Sequence, residues 1–160
     1  GSPVLETYQA RHPTPFAVLG IRAAGDRLTG IDYLPRGAAT LDPLTRFAER
    51  VCRQIDRYLD DPAYRWDLPF DYRGSDFQCR VWRAIRAIPP GKTLSYLDVA
   101  REIGSAPRPV GGACGANRIP LVIPCHRVVG SGGIRGFMHS RHGPGIEIKR
   151  WLLRHEGVMQ

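Results

Sequence analysis

The chain has 160 residues, of which 42% are hydrophobic and 24% are charged, and its formal net charge is +8 at pH 7. This length fits one domain or two small ones, and the composition is that of a globular protein rather than a disordered or fibrous one. The sequence holds no run of about 18 apolar residues, which excludes a membrane-spanning helix.

The cysteine pattern argues against disulfides and against a metal site. Cys52, Cys79, Cys114 and Cys125 show neither close pairing nor CxxC spacing. We therefore expect free thiols in a reducing compartment. A monomer in the bacterial cytoplasm is a separate expectation. No metal site is expected, since clustered Cys and His ligands at short spacing are missing from the pattern.

The positive charge is confined to the second half of the chain. Residues 1–74 contain ten arginines and ten acidic residues, so their charges cancel. Residues 75–160 contain thirteen Arg or Lys against five Asp or Glu, which leaves the whole excess of eight. A solvated basic surface would account for this, but a neutral half beside a basic half also indicates a face that binds a polyanion such as nucleic acid.

The first half has the pattern of a small α/β unit. Two apolar runs, Phe16–Arg22 and Leu28–Leu34, flank a turn at residues 23–26 and predict a β-hairpin. A helix follows, with Asp42 predicted as its N-cap and Pro43 as its first residue. Its apolar face runs to about Leu59 at helical spacing, through Leu44, Phe47, Val51, Ile55 and Tyr58. A further strand-like segment and linker are predicted over Trp66–Tyr72.

Helices dominate the predicted second half. Ser75 is predicted to cap a helix that stops before Pro89 and buries a stripe of Phe77, Val81, Ile85 and Ile88. A second helix is predicted over Tyr96–Ile103, with Gly104 at its end, and a short turn leads to a third helix over Arg108–Asn117. Two short helices joined by a glycine-containing turn indicate a helix-turn-helix, although ordinary helical hairpins have the same spacing.

The third predicted helix is rich in small residues. Gly111, Gly112 and Gly115 each cost about 1 kcal/mol of helix stability relative to alanine. Either the helix packs closely against a neighbouring element, or its backbone approaches a ligand surface such as a DNA groove. Cys114, on the same helix, is interpreted as a small apolar filler rather than a second nucleophile.

Cys125 is the candidate nucleophile. The stiff apolar run of residues 120–124 is predicted to be a buried strand that carries Cys125 at its end. A thiol needs a base to become a thiolate, and His126 is adjacent in sequence. Since neighbouring side chains diverge, we expect His126 to act through an intervening water. Glu156, just after a predicted helix over Ile148–Leu153, is the candidate carboxylate that orients the imidazole.

The run Ile-Pro-Cys-His-Arg-Val at residues 123–128 resembles the O6-alkylguanine-DNA alkyltransferases, the methylated-DNA–protein-cysteine methyltransferases. Arg108–Ala113 and Asn117 before this run and Lys149–Gly157 after it extend the similarity. It covers residues 75–157 closely and the first half only in its general layout. The resemblance implies a ribonuclease H-like α/β subdomain over residues 3–74, with a small antiparallel sheet and a helix. A mainly α, winged-helix-like domain with a helix-turn-helix over residues 75–160 would bind DNA and accept the alkyl group.

The family's chemistry is a single irreversible transfer of an alkyl group from guanine O6 to the protein, without a cofactor. By resemblance, Cys125 is the acceptor, His126 the water-linked base and Glu156 its orienting acid. Asn117 would support the turn and the relay. Tyr96 would assist base flipping and donate a proton to the departing guanine.

The implied partner is double-stranded DNA that carries O6-alkylguanine and is bound through its minor groove. A base within a duplex must be flipped out before a protein thiol can reach it. Arg108 resembles the arginine that fills the resulting gap, and the glycine-rich helix resembles the recognition helix. The predicted DNA contacts are Ser95, Tyr96, Arg108, Gly111, Gly112, Ala113 and Arg127. The predicted alkylguanine pocket is lined by Pro120, Cys125, Val128, Phe137 and Met138.

The sequence departs from the family pattern in two places that bear on function. Arg118 stands where the family has proline, and residues 137–146 differ from the family's short glycine-rich pocket segment. We therefore expect a remodelled, more open pocket that admits larger O6 adducts. His139 and His142 in this segment are interpreted as basic loop residues near DNA phosphates rather than as metal ligands.

Two alternatives remain at this stage. An alkyltransferase-like protein would bind the lesion with weak or no transfer. A cysteine hydrolase or redox sensor would use Cys125 and His126 but would leave Arg108 and the basic half unexplained. The presence of Cys125 favours transfer.

Overall fold

The computed structural model describes residues 7–130, 132–133 and 144–159, which fall into two compact units that meet between Asp71 and Tyr72. The sequence prediction placed this boundary slightly later, after residue 74. Residues 72–74 go with the second unit because the ring of Tyr72 stacks on Trp82, with centroids 6.1 Å apart. In addition, Sγ of Cys79 donates to the backbone carbonyls of Tyr72 and Gly74, each at 3.8 Å. No helix among the described residues is both long and apolar enough to cross a membrane.

A three-stranded antiparallel sheet forms the first unit, in the order β1 (Ala10–Pro13), β2 (Val18–Ala24) and β3 (Arg27–Leu34). The predicted hairpin of β2 and β3 is confirmed, with Ile21 opposite Ile31 and a register shift at Arg22 and Ala23. Gly25 makes the turn at a φ of 59°, a conformation that glycine adopts without steric cost. The sequence analysis missed β1, which is short and contains polar residues.

Helix α1 (Arg46–Asp60) begins later than predicted. Its N-cap is Thr45, whose Oγ1 accepts a hydrogen bond from the backbone N–H of Ala48 at 3.0 Å. Asp42 and Pro43 were the wrong start because the segment before Thr45 is extended and bonded to the sheet. Leu41 exchanges two backbone hydrogen bonds with Arg11. Leu44 is consequently 59% exposed and lies outside the apolar face of the helix.

The other residues of the predicted apolar face of α1 are buried, and the buried Gln54 beside them binds the backbone of a later segment. Val51 and Ile55 are almost fully buried, and Gln54 between them makes two hydrogen bonds with the backbone of Asp67, at 2.8 and 2.9 Å. These two bonds attach the segment around Asp67 to α1, although that segment does not form a strand. The strand predicted within residues 66–72 is wrong, since that segment contributes only an isolated bridge between Phe70 and Leu28.

The second unit begins with helix α2 (Asp76–Arg86), whose predicted start is confirmed. Ser75 and Gln78 form a capping box, in which each side chain accepts from the other residue's backbone N–H. Val81, Ile85 and Ile88 are buried as predicted, whereas Phe77 is half-buried. Trp82 is also buried, and its Nε1 donates to the backbone carbonyl of Ala113 at 2.9 Å.

Two short helices follow, and their boundaries agree closely with the sequence. Helix α3 (Tyr96–Ile103) has Ser95 as N-cap and Gly104 as C-cap at a φ of 70°. Helix α4 (Pro107–Gly115) starts one residue earlier and ends two residues earlier than predicted. Three residues, 104–106, join the two helices.

A two-residue parallel ladder connects the start of α3 with the segment after Cys125. It pairs β4 (Leu94–Ser95) with β5 (Val128–Val129). The buried strand predicted before Cys125 is wrong: residues 118–124 form turns, and Leu121 has a φ of 75°. Cys125 instead opens a single 3₁₀ turn, Cys125–Arg127.

Helix α5 (Pro144–His155) closes the unit and is longer than the predicted Ile148–Leu153. Leu152 and Leu153 are fully buried, and Leu153 packs with Val129 and Met159. Gly157 ends the helix at a φ of 77°. Glu156 is therefore fixed at the point where the helix stops.

The hydrogen bond from Trp82 to Ala113 predicts a stability effect. Trp82→Phe keeps most of the buried ring but removes the donor, which should lower the free energy of unfolding by about 1–2 kcal/mol. Chemical denaturation followed by circular dichroism would measure it, with the exposed Leu97→Ala in α3 as a control expected to change little. Equal stability of Trp82→Phe and the original chain would show that this bond does not hold α4 in place.

Candidate active site

Four segments of the second unit converge on Cys125. The thiol belongs to the 3₁₀ turn, and the β4–β5 ladder brings in Tyr96 at the start of α3. Asn117 arrives from the turn after α4, and Lys149 comes from α5. The sequence predicted Cys125, Tyr96 and Asn117 as a group and gave Lys149 no role.

Asn117 supports both the loop and the sulfur. Its Nδ2 donates to the backbone carbonyl of Ile123 at 2.9 Å and to Sγ of Cys125 at 3.2 Å. Its Oδ1 accepts the backbone N–H of Ile119 at 2.9 Å. One amide thus fixes two points of the turn before Cys125 and also offers an N–H to the sulfur, where it would stabilise negative charge.

Cys114 on α4 is near enough to Cys125 for each thiol to shift the pKa of the other. The interpretation of Cys114 as a small apolar filler stays a prediction. The sequence gave no signal for this interaction, because ten residues and an irregular turn separate the two cysteines.

The two thiols titrate as a pair because the protonation of each affects the other. The interaction with Cys125 lowers the pKa of Cys114, with burial acting against it and the charge of Lys149 assisting. The interaction with Cys114 and burial raise the pKa of Cys125 well above that of an ordinary thiol, while Asn117 and Lys149 lower it. At neutral pH, Cys125 therefore keeps its proton and needs a base to remove it.

Lys149 provides the cation of the site. Its Nζ donates to the backbone carbonyl of Val128 at 2.6 Å, which fixes the ammonium group close to both cysteines. Burial lowers the pKa of Lys149, and the charges of Cys114 and Cys125 act in the opposite direction. The sequence does contain a signal for Lys149. It lies one helix turn before Leu152 and Leu153, so it is on the same face of the helix as these two buried residues.

His126 and Glu156 form a buried pair, with Nε2 of the histidine 2.7 Å from Oε2 of the carboxylate. Hydrogen bonds from His126 and Arg127 outweigh burial and lower the pKa of Glu156 to about 2, so the carboxylate is ionised and can only accept. Nε2 of His126 must therefore carry the proton. Burial lowers the pKa of His126, so the ring is neutral at pH 7 and Nδ1 has the lone pair that a general base needs.

Arg127 was predicted to contact DNA, but the structure places its side chain inside the protein. Its side chain is only 7% exposed, and its Nε and Nη2 bind both oxygens of Glu156 at 2.8 and 3.0 Å. Its Nη1 donates to the backbone carbonyl of Ile88 at 2.7 Å. With every nitrogen engaged inside the protein, Arg127 serves the carboxylate rather than a phosphate.

The predicted recognition helix presents one exposed face. Arg108 is exposed at its first turn, and Gly112 is exposed in its middle. No described atom outside the helix lies within 4 Å of the place where a β-carbon on Gly111 or Gly112 would be. Close packing against a neighbouring element therefore does not explain these glycines within the described part of the chain. Ala113 is only 3% exposed, so its prediction as a DNA contact is wrong.

The start of α3 carries two further predicted residues. Ser95 is occupied by the helix cap: its hydroxyl accepts from the N–H of Asp98, and its own N–H donates to the Asp98 carboxylate at 3.1 Å. Tyr96 is half-buried, and burial, followed by the charges of Cys114 and Cys125, raises its pKa. The phenol therefore keeps its proton and can serve as a donor at neutral pH.

The predicted pocket is described only in part. Pro120 is half-buried near the turn and Val128 is fully buried, and their role as pocket walls stays a prediction. Phe137 and Met138 lie outside the described residues, as do His139 and His142. The predicted opening of the pocket stays a prediction. Among the residues that the structure describes, no cluster of three or more His, Cys, Asp or Glu could hold a metal ion.

Comparison with known proteins gives a consistent result. The family model for the DNA-binding domain of 6-O-methylguanine DNA methyltransferase matches residues 76–158. A methylated-DNA–protein-cysteine methyltransferase of Mycolicibacterium paratuberculosis is 40% identical over 130 residues, which cover 79% of this chain and 75% of that protein. The relative of the same name from Mycobacterium bovis is 44% identical over 106 residues, covering 64% of this chain and 61% of the relative.

Solved structures match across both units. The crystal structure of the Mycobacterium tuberculosis O6-methylguanine methyltransferase has a TM-score of 0.77 at 36% identity, covering 93% of this chain and 91% of that one. A structure of Mycobacterium tuberculosis OGT in complex with DNA has a TM-score of 0.75 at 38% identity, covering 90% and 89%.

The buried carboxylate predicts a defined dependence of stability on pH. Because the pKa of Glu156 falls from 4.5 to about 2 on folding, its stabilisation is complete above pH 4.5 and is lost as the pH falls towards 2. Glu156→Gln should remove this acid-sensitive part of the free energy of unfolding. At pH 7 it should also lower the free energy of unfolding by about 3–5 kcal/mol, since it leaves the buried Arg127 without its counter-ion.

Urea denaturation of both proteins from pH 2 to pH 8 would measure the effect. The matched control is Glu102→Gln, because Glu102 is exposed on α3, and it should follow the original chain throughout. If Glu156→Gln and Glu102→Gln gave the same stability at pH 7, the carboxylate would not be the anchor of this site.

Proposed function

Because the chain belongs to the 6-O-methylguanine DNA methyltransferase family, we propose that it repairs DNA by transferring an alkyl group from guanine O6 to its own Cys125. The observation that carries the proposal is the convergence on one thiol of an amide donor, a lysine cation and, one residue away, a His–Glu pair. Transfer forms a stable thioether, so each molecule acts once. No cofactor takes part in this chemistry.

The first step is removal of the proton from Cys125. Its raised pKa means that the resting thiol is protonated, and the neutral His126 can accept that proton at Nδ1 through a bridging water. Glu156, ionised and bonded to Nε2, stabilises the imidazolium that forms. Asn117 and Lys149 stabilise the thiolate during the same step.

The second step is displacement at the alkyl carbon. The thiolate of Cys125 forms a bond to that carbon as the bond from carbon to guanine O6 breaks, and the electron pair goes to the base. Tyr96, whose raised pKa keeps its phenol protonated, donates a proton to the departing guanine. This proton prevents the build-up of full negative charge on the leaving group.

DNA binding is assigned to α3, the turn and α4, acting as a helix-turn-helix that places α4 in the minor groove. The exposed glycines of α4 support this, since a backbone without side chains can approach a groove closely. Arg108 would fill the space left by the flipped nucleotide, which offsets an unstacking cost of a few kcal/mol. The excess positive charge of the second half would bind phosphates without sequence preference.

The remaining expectations complete the proposal. The β4–β5 ladder beside the helix pair supports a winged-helix-like unit, and the sheet with α1 supports a ribonuclease H-like subdomain with a structural role. We assign the protein to the bacterial cytoplasm because relatives at 40–44% identity are bacterial. That it acts as a monomer stays an expectation.

Intact mass spectrometry tests the transfer directly. Incubation with a duplex that carries one O6-methylguanine should add one methyl group per protein molecule, at Cys125. Cys125→Ser should bind the duplex without gaining mass, and Cys79→Ser should react like the original chain, since that thiol lies on α2 facing backbone carbonyls. Binding without an adduct would indicate a lesion-binding protein, and repeated turnover would indicate a hydrolase; either result would overturn the proposal.

The exposed face of α4 gives a second test. Gly112→Leu should preserve or raise the free energy of unfolding, because leucine favours helices by about 1 kcal/mol over glycine and no described neighbour obstructs it. The same change should weaken duplex binding, measured by fluorescence anisotropy, because the side chain would block the groove. Gly145→Leu, at an equally open helical glycine in α5, is the control. Equal DNA affinity of the two variants would exclude α4 as the groove-binding element.

A further inference from the structure

One oxygen of Glu156 accepts hydrogen bonds from two side chains at once. Oε2 lies 2.7 Å from Nε2 of His126 and 3.0 Å from Nη2 of Arg127. Nε of Arg127 also donates to Oε1 of the same carboxylate, at 2.8 Å. The arginine and the histidine therefore share one negative charge, and the arginine limits how strongly that charge can act on the imidazole.

The guanidinium of Arg127 is held in place by a bond that does not involve His126. Its Nη1 donates to the backbone carbonyl of Ile88 at 2.7 Å, just after α2. The side chains of Arg127, His126 and Glu156 are 7%, 5% and 0% exposed. Water and salt therefore screen the three groups little, so the charge of each has a large effect on the protonation of the others.

The charges around His126 act on it in opposite directions. Burial lowers the pKa of His126, the hydrogen bond and the charge of Glu156 raise it, and the charges of Arg127 and Lys149 lower it. An unshared carboxylate would favour an imidazolium in the resting protein, and an imidazolium cannot accept a proton from Cys125. Arg127 opposes this effect, because it neutralises part of the carboxylate's charge before His126 is protonated.

We propose that Arg127 is a positioning residue for the acid–base step: by sharing Oε2 of Glu156 it keeps His126 neutral, with the proton on Nε2, and so sets the lowest pH at which Cys125 reacts. The effect on Cys125 rests on the proposed function, whereas the effect on the imidazole does not. Arg127 acts on the thiol through Glu156 and His126.

The geometry explains why this position requires an arginine. A planar guanidinium can bind both oxygens of Glu156 and the carbonyl of Ile88 with three different nitrogens, whereas a lysine ammonium is a single point of charge. Arg127→Lys therefore keeps the buried charge, and with it the fold, but loosens the shared bond at Oε2. Arg127→Met removes both the charge and the bonds while keeping an unbranched stem of similar length.

The first measurement follows the ring nitrogens of His126 by NMR in the nitrogen-15-labelled protein, without DNA, over the pH range in which the chain stays folded. His126→Gln identifies these signals among those of the five histidines. In the original chain we expect a neutral ring at pH 7 with its proton on Nε2. The ring should become protonated at a higher pH in Arg127→Met, and Arg127→Lys should change in the same direction but by less.

The second measurement is the rate of alkyl transfer from an O6-methylguanine duplex as a function of pH. In Arg127→Met the fall in rate at low pH should move upward by about one pH unit, because loss of a neighbouring charge changes a protonation equilibrium by this order. Arg127→Lys should show a smaller movement. Arg53→Met, which removes an exposed arginine from α1, is the matched control and should follow the original chain. A purely structural role of Arg127 would lower stability but leave the pH dependence unchanged.

Either of two results would overturn the proposal: a protonated His126 at pH 7 in the original chain, or an unchanged titration of His126 in Arg127→Lys. Neither requires Arg127→Met to fold or any alkyl group to be transferred. If His126 titrates as expected but no transfer occurs, the proposed function alone is refuted. If transfer occurs and the titration of His126 is unchanged, only the role of Arg127 is refuted.

Discussion

The site depends on a single buried carboxylate. Glu156 has a side chain with no exposed surface, yet it is charged, and a charge in that position is tolerated only when its hydrogen bonds are complete. Arg127 supplies two of those bonds and His126 the third. Because these residues follow Cys125 directly, the interaction that neutralises the carboxylate also fixes the turn that presents the thiol.

This arrangement also connects three elements that are distant in sequence. Glu156 stands at the end of α5, Arg127 belongs to the 3₁₀ turn, and Nη1 of Arg127 reaches the carbonyl of Ile88 just after α2. The β4–β5 ladder adds the start of α3 to the same framework. Tyr96 and Cys125 are therefore held by backbone pairing, and their relative position does not depend on a flexible side chain.

The sequence predicts the parts of this unit whose structure is determined locally. The starts of α2 and α3 follow from Ser75 and Ser95, because a serine cap acts on the next three residues. The end of α3 follows in the same way from Gly104, where the chain adopts a left-handed conformation. The predicted start of α1 was wrong because a non-local contact decides it. Backbone pairing of Leu41 with Arg11 keeps the chain extended past Asp42 and Pro43, whose local pattern is that of a helix start.

The parts of the site that were mispredicted depend on tertiary contacts. Arg127 has the charge of a DNA contact, but burial against Glu156 decides its role, and no local pattern reveals burial. Ala113 is buried on the side of α4 whose backbone accepts a hydrogen bond from Trp82, a contact between two separate helices. By contrast, Cys125, His126 and Glu156 were found because their chemistry limits which residue types can serve.

In the proposed function, the protonation states explain how the thiol of Cys125 is held unreactive until a substrate arrives. A permanently ionised Cys125 would react with any electrophile that reached it, and a protein that is consumed by one reaction gains nothing from such reactivity. Its raised pKa keeps the thiol protonated, and a neutral His126 supported by an ionised Glu156 can accept the proton when a substrate is in place.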